Sequence, residues 1–338
     1  MIHATAPGRG GIIGNPSDMY GGTVIACTLH ERAEAIVSPS PRLIFDVYGQ
    51  FQVLEHERDL EYSPELHFLD VAKAVWRYLR TSSFAEEGRI DPAATFHVRA
   101  GSSIPLQAGC AGSTAILMCI LAAVLENFEI HLGRHALAEL ARAVERHELG
   151  VTCGYQDQYM IAFGGLNCID LRDKENHGDG DQEPFATVEP LTSAVPRLPF
   201  VLGNTGVQRH SGQFHAAPRQ AWEEGDPRRR EGFARLGTLG RLGKRAMLDA
   251  NWEWLGELMN ENCAIVSDLI GLGEVNERLI GAAREAGALG AKLSGAGRGG
   301  TVIVLHEDPE WMGQRLLEAG AERLLRLDPG PGLEVRKI

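Results

Sequence analysis

The amino-acid sequence predicts a globular chain of mixed strands and helices divided into two domains. The 338 residues, 44% of them hydrophobic, are enough to build two cores of ordinary size. Segments of strand character and segments of helical periodicity follow one another along the whole chain. A polar run at residues 172–184, carrying acidic residues and glycines, interrupts them where a domain boundary is expected.

The chain opens as a strand, then a glycine-rich loop from Gly8 to Gly22, then an apolar strand from Thr23 to Thr28. Strand character resumes from about residue 35 to 47. Helical periodicity covers residues 66–80, and residues 95–99 read as a strand that leads into PLQAGCAGSTAILMCILAAVLEN, Pro105 to Asn127. A helix follows at about 135–149, then CGYQDQYMIAFGG and a short strand at 166–171. The 172–184 run reads as a surface loop, since EF-hand spacing is absent. Residues 199–203 read as a strand. Asp226 and Pro227 then suit the cap and first position of a long helical region, which leaves Arg228, Arg229 and Arg230 on a solvated face. Helices at 245–259 and 275–286 precede KLSGAGRGG and a strand at 301–305. No internal repeat is visible.

Composition narrows the function. Acidic residues outnumber basic ones 45 to 33, a net charge of −12, which argues against nucleic acid or an anionic membrane as partner. Any anionic ligand must be held by local groups. Six cysteines, Cys27, Cys110, Cys119, Cys153, Cys168 and Cys263, lack CxxC spacing, so reduced thiols are expected rather than disulfides or zinc. The longest apolar run is too short to span a bilayer and no signal sequence is visible, so a cytoplasmic location is expected.

The segment from Pro105 is the most informative. A glycine-rich turn aims backbone N–H groups at one point, and the following helix adds about half a positive charge at its N-terminus, so the turn suits a phosphate. Gly109 and Gly112 permit close approach, and Ser113 and Thr114 offer hydroxyls to a phosphate-bound magnesium ion. On these residues alone an ordinary helix start capped by Ser113 remains equally open. Other motifs are excluded. There is no GxxxxGK[ST], and His147-Glu148 is followed by Val151 where HExxH needs histidine. Gly295, Gly297 and Gly300 fit GxGxxG but precede a strand, the reverse of the dinucleotide-binding arrangement.

PGRGGIIGNPSDMYGG, PLQAGCAGSTA and KLSGAGRGG together resemble the ordered motifs of the GHMP small-molecule kinases. The resemblance extends over nearly the whole chain. Within the superfamily GNPSDMYGG, LQAGCAGSTA and VQRHSGQFHAAPRQAWEEGD are most similar to the glucuronokinases, while GYQDQYMIAFGGLN also resembles the heptose-phosphate kinases. The resemblance implies an α+β fold: an N-terminal ribosomal-protein-like α/β domain, residues 1–190, and a ferredoxin-like domain, residues 191–338. It also implies ATP and Mg2+. The triphosphate would lie on Pro105, Gln107, Ala108, Gly109, Cys110, Ala111, Gly112, Ser113 and Thr114, with the metal at Ser113, Thr114 and Glu145.

By the same resemblance Asp157 is the catalytic aspartate. A carboxylate is a far weaker base than an alkoxide, so the role implied is positioning with late proton acceptance; a cap for a helix beginning at Gln158 is the plain alternative. Arg9 would offset charge on the phosphate in flight. Gly14, Asn15, Asp18, Tyr20, Lys292, Gly297 and Arg298 would join Arg9 and Asp157 around the sugar, and Asn15 stands where galactokinases carry glutamate. Arg209, His210 and Ser211 are further candidates. Glu148 competes with Glu145 for the metal, and Glu145 could instead pair with Arg142. The expected activity is ATP-dependent phosphorylation of a sugar hydroxyl, the anomeric hydroxyl of a uronic acid such as glucuronate, with a heptose-phosphate kinase or other GHMP kinase and a non-catalytic sugar and ATP sensor as alternatives. The expected partners are small molecules, with a homodimer left open.

Overall fold

The computed structural model describes residues 1–63, 67–174, 183–207, 212–295 and 300–338. A first sheet holds β1 (Ile2–Ile13), β2 (Thr23–Pro39), β3 (Leu43–Val47), β4 (Gln50–Leu54), β5 (Phe96–Ser102), β6 (Leu166–Asp170) and β7 (Thr187–Pro190). The last strand of the chain, β12 (Glu334–Lys337), returns to pair with β1. The long strand β2 is shared: Thr23–Cys27 pairs with β6, and Ala33–Pro39 pairs with β5. A second sheet, in order β11-β8-β10-β9, is antiparallel throughout, with β8 (Phe200–Asn204), β9 (Gly290–Leu293), β10 (Thr301–Leu305) and β11 (Arg323–Leu325).

Helices cover these sheets. α1 (Phe68–Arg80), the short α2 (Ser83–Glu86), α3 (Gly112–Asn127), α4 (Arg134–His147) and α5 (Gln156–Phe163) accompany the first sheet. α6 (Gly212–Glu223), α7 (Pro227–Leu248), α8 (Trp252–Leu269), α9 (Glu274–Glu285) and α10 (Pro309–Glu318) follow. Every residue of α3 from Thr114 to Leu125 is buried, as expected of a helix that is apolar on all sides. Asp226 caps α7 through the Arg228 and Arg229 N–H groups, with Pro227 at the first position. Among the described residues no helix is long and apolar enough to cross a membrane.

The sequence reading errs in instructive places. Gly8 to Ile13 are not loop but the end of β1, because their alternation is hidden by glycines yet still pairs with β2. That strand carries register shifts between Pro7 and Arg9 and between Gly11 and Ile13, irregularities of the kind that re-aim a side chain. The helix expected at 245–259 is two helices. Ala250 at φ 50° breaks the run, and Asn251 caps α8 by accepting from the Trp254 N–H. Arg228 and Arg230 do lie on the solvated face expected of them, meeting Asp268 and the Trp222 carbonyl at the surface, while Arg229 is half-buried against Asp226. β4, α2, β7, α6, β9, α10, β11 and β12 were not foreseen.

Trp76 of α1 is a central packing element. Only 2% of it is exposed, and its ring meets Phe96 of β5 edge-on at 5.0 Å and lies parallel to Phe128 at 6.2 Å. Trp76→Ala should lower stability by about 3–5 kcal/mol, through lost burial and the cavity left behind. Urea unfolding midpoints check this, and a loss below about 1 kcal/mol would show that helix α1 is not held as described.

Candidate active site

The site begins with backbone. Gln107 (φ 51°), Gly109 (φ 69°) and Ala111 (φ 61°) are left-handed, whereas the intervening Ala108 and Cys110 are not. Such alternation turns successive N–H groups toward one side and forms an anion-binding concavity. α3 starts immediately afterwards, at Gly112, so the N–H groups of Gly112, Ser113 and Thr114 have no acceptor within the helix and the helix dipole adds positive potential. Ala111 occupies the cap position and no side chain caps this end. Ser113 therefore does not cap the helix; it lies inside the first turn with its side chain exposed.

The second sheet supports this loop from below. Thr301, the first residue of β10, donates to the Ala108 carbonyl at 2.9 Å, and its hydroxyl lies 3.3 Å from the Cys110 sulfur. Gly295 lies directly against Gly109. A Cβ there would come within 2.8 Å of the Gly109 carbonyl oxygen, so any larger residue would push the loop outward.

Arg9 joins the loop to α5. Its Nε and Nη2 reach the same Asp157 oxygen at 2.7 and 2.6 Å, its Nη1 donates to the Gly109 carbonyl, and its backbone N–H donates to the Cys110 carbonyl at 3.0 Å. The Arg9 side chain is 8% exposed and that of Asp157 is 29% exposed. The cation is thus sealed in place while the carboxylate can still be reached from outside.

Asp157 does not cap a helix. α5 starts earlier, at Gln156, and its leading N–H groups, those of Tyr155 and Gln156, donate to Asp18 Oδ2 at 3.0 and 3.1 Å. Asp18 comes from the 3₁₀ turn Ser17–Tyr20. Burial pushes its carboxyl upward, the Gln156 N–H opposes that, and the nearby Asp157 charge adds to the rise. Gly154 makes room for this contact, because a Cβ there would lie 1.9 Å from Asp18 Oδ2.

Beside the loop Thr114 Oγ1 donates to Glu145 Oε1 at 2.7 Å, and Gln158 Nε2 donates to the other Glu145 oxygen. Glu145 is 5% exposed, and burial pushes its carboxyl up to about 7, against the Thr114 hydrogen bond and with help from Asp157. Arg142 is not its partner; that guanidinium donates to the Gly154 carbonyl at 3.1 Å. Glu148 is engaged elsewhere, by the Tyr62 hydroxyl and by Arg77 at 3.1 Å. The Thr114 and Glu145 oxygens offer the hard-oxygen chemistry that magnesium takes.

Asn15 and Lys292 are turned inward. Lys292 is 1% exposed and its Nζ donates to Asn15 Oδ1 at 2.7 Å and to the Leu293 carbonyl at 2.6 Å. Burial, with the like charge of Arg9, lowers its ammonium to about 7. The Gly14 N–H donates to Asn262 Oδ1 at 2.8 Å, and Asn262 donates back to the Asn15 carbonyl. Tyr20 stacks on Phe233 of α7 at 3.7 Å, next to Trp222 and Arg219. Of the sequence candidates, Arg209, His210, Ser211, Gly297 and Arg298 lie outside the described residues.

Arg9, Asp157, Glu145 and the loop are thus linked by direct contacts, and Asp18 holds the backbone at the start of α5. Gln158, Asn262, Tyr155 and Ser294, whose hydroxyl accepts from the Gly11 N–H at 3.1 Å, went unnoticed in the sequence. Gln158 and Tyr155 flank Asp157 in GYQDQY and Ser294 sits within KLSG, so the motifs already held them. Asn262, in α8 beyond the end of the helix expected at 245–259, carried no signal.

The chain is similar to known proteins in sequence and fold. Residues 70–165 match the GHMP kinases N terminal domain and residues 244–311 the GHMP kinases C terminal domain. The chain is 28% identical to glucuronokinase 1 of Arabidopsis thaliana over 92% of its own length and 86% of that protein. It is 25% identical to the D-glycero-alpha-D-manno-heptose 7-phosphate kinase of Campylobacter jejuni over 88% and 87%. The crystal structure of a D-glycero-D-manno-heptose 1-phosphate kinase from Bacteriodes thetaiotaomicron superposes with a TM-score of 0.71 at 21% identity, covering 100% of this chain and 99% of that one.

Two buried charges give opposite pH signatures. Between the ordinary value of 4.5 and about 7, Glu145 holds a proton in the folded chain that the unfolded chain has lost, so its contribution falls as pH rises through that window. Lys292 has the reverse effect. Its folded ammonium deprotonates near 7 and its unfolded one at 10.5, so its contribution grows as pH rises between those values. In metal-free protein Glu145→Gln should flatten the fall in Tm between about pH 5 and 7 and leave the higher range unchanged. Thermal melts across pH check this; an unaltered slope would mean that Glu145 is ionised in the folded chain.

Proposed function

This chain belongs to the GHMP kinase family, and from that premise we propose that it is an ATP-dependent sugar kinase acting on the anomeric hydroxyl of a uronic acid such as glucuronate. The observation that carries the reading is the Arg9–Asp157 pair, with a reachable carboxylate, tied by Arg9 to the rim of an anion cradle. Phosphoryl transfer needs little covalent help from protein. It needs the transferring group held in line and its charge compensated.

In this proposal the backbone N–H groups of the 107–114 loop hold the triphosphate, and the Thr114 hydroxyl and Glu145 carboxylate hold magnesium. When bound, magnesium neutralises charge on the phosphates. Asp157 orients the acceptor hydroxyl and takes its proton late, as the bond to phosphorus forms. Arg9, whose charge is permanent, fixes that carboxylate and faces the charge that develops nearby. Asp18 positions the start of α5 and, through its remaining oxygen, is a candidate acceptor for sugar hydroxyls. The uronic acid is supported by the similarity to a glucuronokinase across most of both chains. A heptose phosphate is the second reading, because a relative of comparable coverage is a heptose 7-phosphate kinase.

Release of ADP should be followed with glucuronate, neutral hexoses and heptose phosphates. Turnover is expected with glucuronate, and Asp157→Asn should lower kcat by about 10²–10⁴-fold while ATP binding stays nearly unchanged. Turnover with heptose phosphate alone would sink the uronic acid. Binding of ATP and sugar without product would instead make the protein a sensor.

A further inference from the structure

We infer that Lys174, outside every motif named above, is a positioning residue that sets the orientation of α5 and so the place of Asp157; this rests on the kinase reading. The side chain of Lys174 is 1% exposed. Its Nζ meets Glu139 of α4 at 2.8 Å, Glu183 at 3.0 Å and the Pro184 carbonyl at 3.0 Å. Both carboxylates also hold tyrosines of the α5 region. The Tyr159 hydroxyl donates to Glu139 at 2.5 Å, and the Tyr155 hydroxyl donates to Glu183 at 2.8 Å. The Tyr159 hydroxyl accepts in turn from the Ala186 N–H at 3.0 Å.

Tyr155 is clamped between two cations. The Arg142 guanidinium carbon lies 3.7 Å from its ring centroid and Lys174 Nζ lies 4.6 Å from it, distances at which a desolvated cation–π contact is strong. Lys174 therefore touches Tyr155 directly and both of the carboxylates that grip Tyr155 and Tyr159. Helical geometry gives this grip its direction. Tyr155 and Tyr159 lie within about 40° of one another around the helix axis, and Asp157 lies about 200° from Tyr155. The grip on one face thus presents Asp157 from the opposite face, where Arg9 receives it. The same Tyr155 supplies a backbone N–H to Asp18, so a single residue ties the clamp to the sugar side of the proposed site.

Charge explains why a buried lysine occupies this place. Glu139 and Glu183 converge on one point, and without a cation between them they would repel and separate. An arginine could bridge both; a neutral side chain could not.

The test is steady-state kinetics of the full chain with the sugar it turns over, comparing Lys174→Met, Lys174→Arg, Tyr155→Phe and Asp157→Asn. Lys174→Met should lower kcat by about 10- to 100-fold, the effect of a small displacement of a reacting group. KM for ATP should stay within about two-fold, since the cradle is untouched. Lys174→Arg should recover most of the rate. Tyr155→Phe, which deletes one hydroxyl and keeps the ring, should show a smaller loss in kcat alone and guards against a Lys174→Met chain that fails to fold. An unchanged kcat in Lys174→Met or in Tyr155→Phe, or equal losses in kcat and in ATP affinity, overturns the inference. If Asp157→Asn lowers kcat while these variants leave it unchanged, only the positioning role falls; if Asp157→Asn is also fully active, the kinase mechanism falls with it.

Discussion

The buried guanidinium of Arg9 is the joint on which the rest of the site depends. A permanent charge inside a protein is tolerated only when it is paired and hydrogen-bonded, and this one meets Asp157 from α5 and the Gly109 carbonyl from the loop. Both partners come from segments at least one hundred residues away in the chain. Satisfying that one charge therefore fixes three separate pieces of backbone relative to each other. The register shift in β1 just before Arg9 is the local device that points the side chain toward them, since an unbroken strand would continue its simple alternation.

Close backbone approach is the complementary constraint. The loop rests on Gly295, and Asp18 reaches the start of α5 only because Gly154 has no side chain in its way. These glycines do different work from those in turns: they remove volume where two chains must touch. The result is a site whose rigid parts are main chain and whose side chains, Asp157 above all, project from short, well-held segments.

This division accounts for what the sequence revealed. The glycine-rich motifs were legible because close approach and left-handed backbone leave a compositional mark, as at Gly109 and Gly295. Asp157 and Glu145 were legible only beside those motifs, since a carboxylate on a helix has many ordinary uses. The break at Ala250 was hidden, because alanine is a strong helix former and the left-handed turn there is imposed by the packing of α7 and α8. Lys174 was hidden for another reason. It stands at the edge of a polar run that reads as solvent-exposed loop, and its burial arises from Glu139 and Tyr155, which meet it only in the folded chain.

Glu145 and Lys292 show how burial moves an ionisation toward neutrality. The two opposite charges are not paired with each other; the hydrogen-bond partners of each are neutral, the Thr114 hydroxyl and Gln158 amide for one, the Asn15 and Leu293 oxygens for the other. A mutual ion pair would have moved both ionisations away from neutrality. Kept apart, both groups ionise near 7, and each gains most from a counter-charge delivered from outside. A cation beside Glu145 would favour its ionised form, and the negative charge of a triphosphate on the loop would favour the ammonium of Lys292 and oppose its repulsion by Arg9. A counter-charge at either place would recover part of the cost of burying the group, the kind of preorganised electrostatics that the proposed phosphoryl transfer needs.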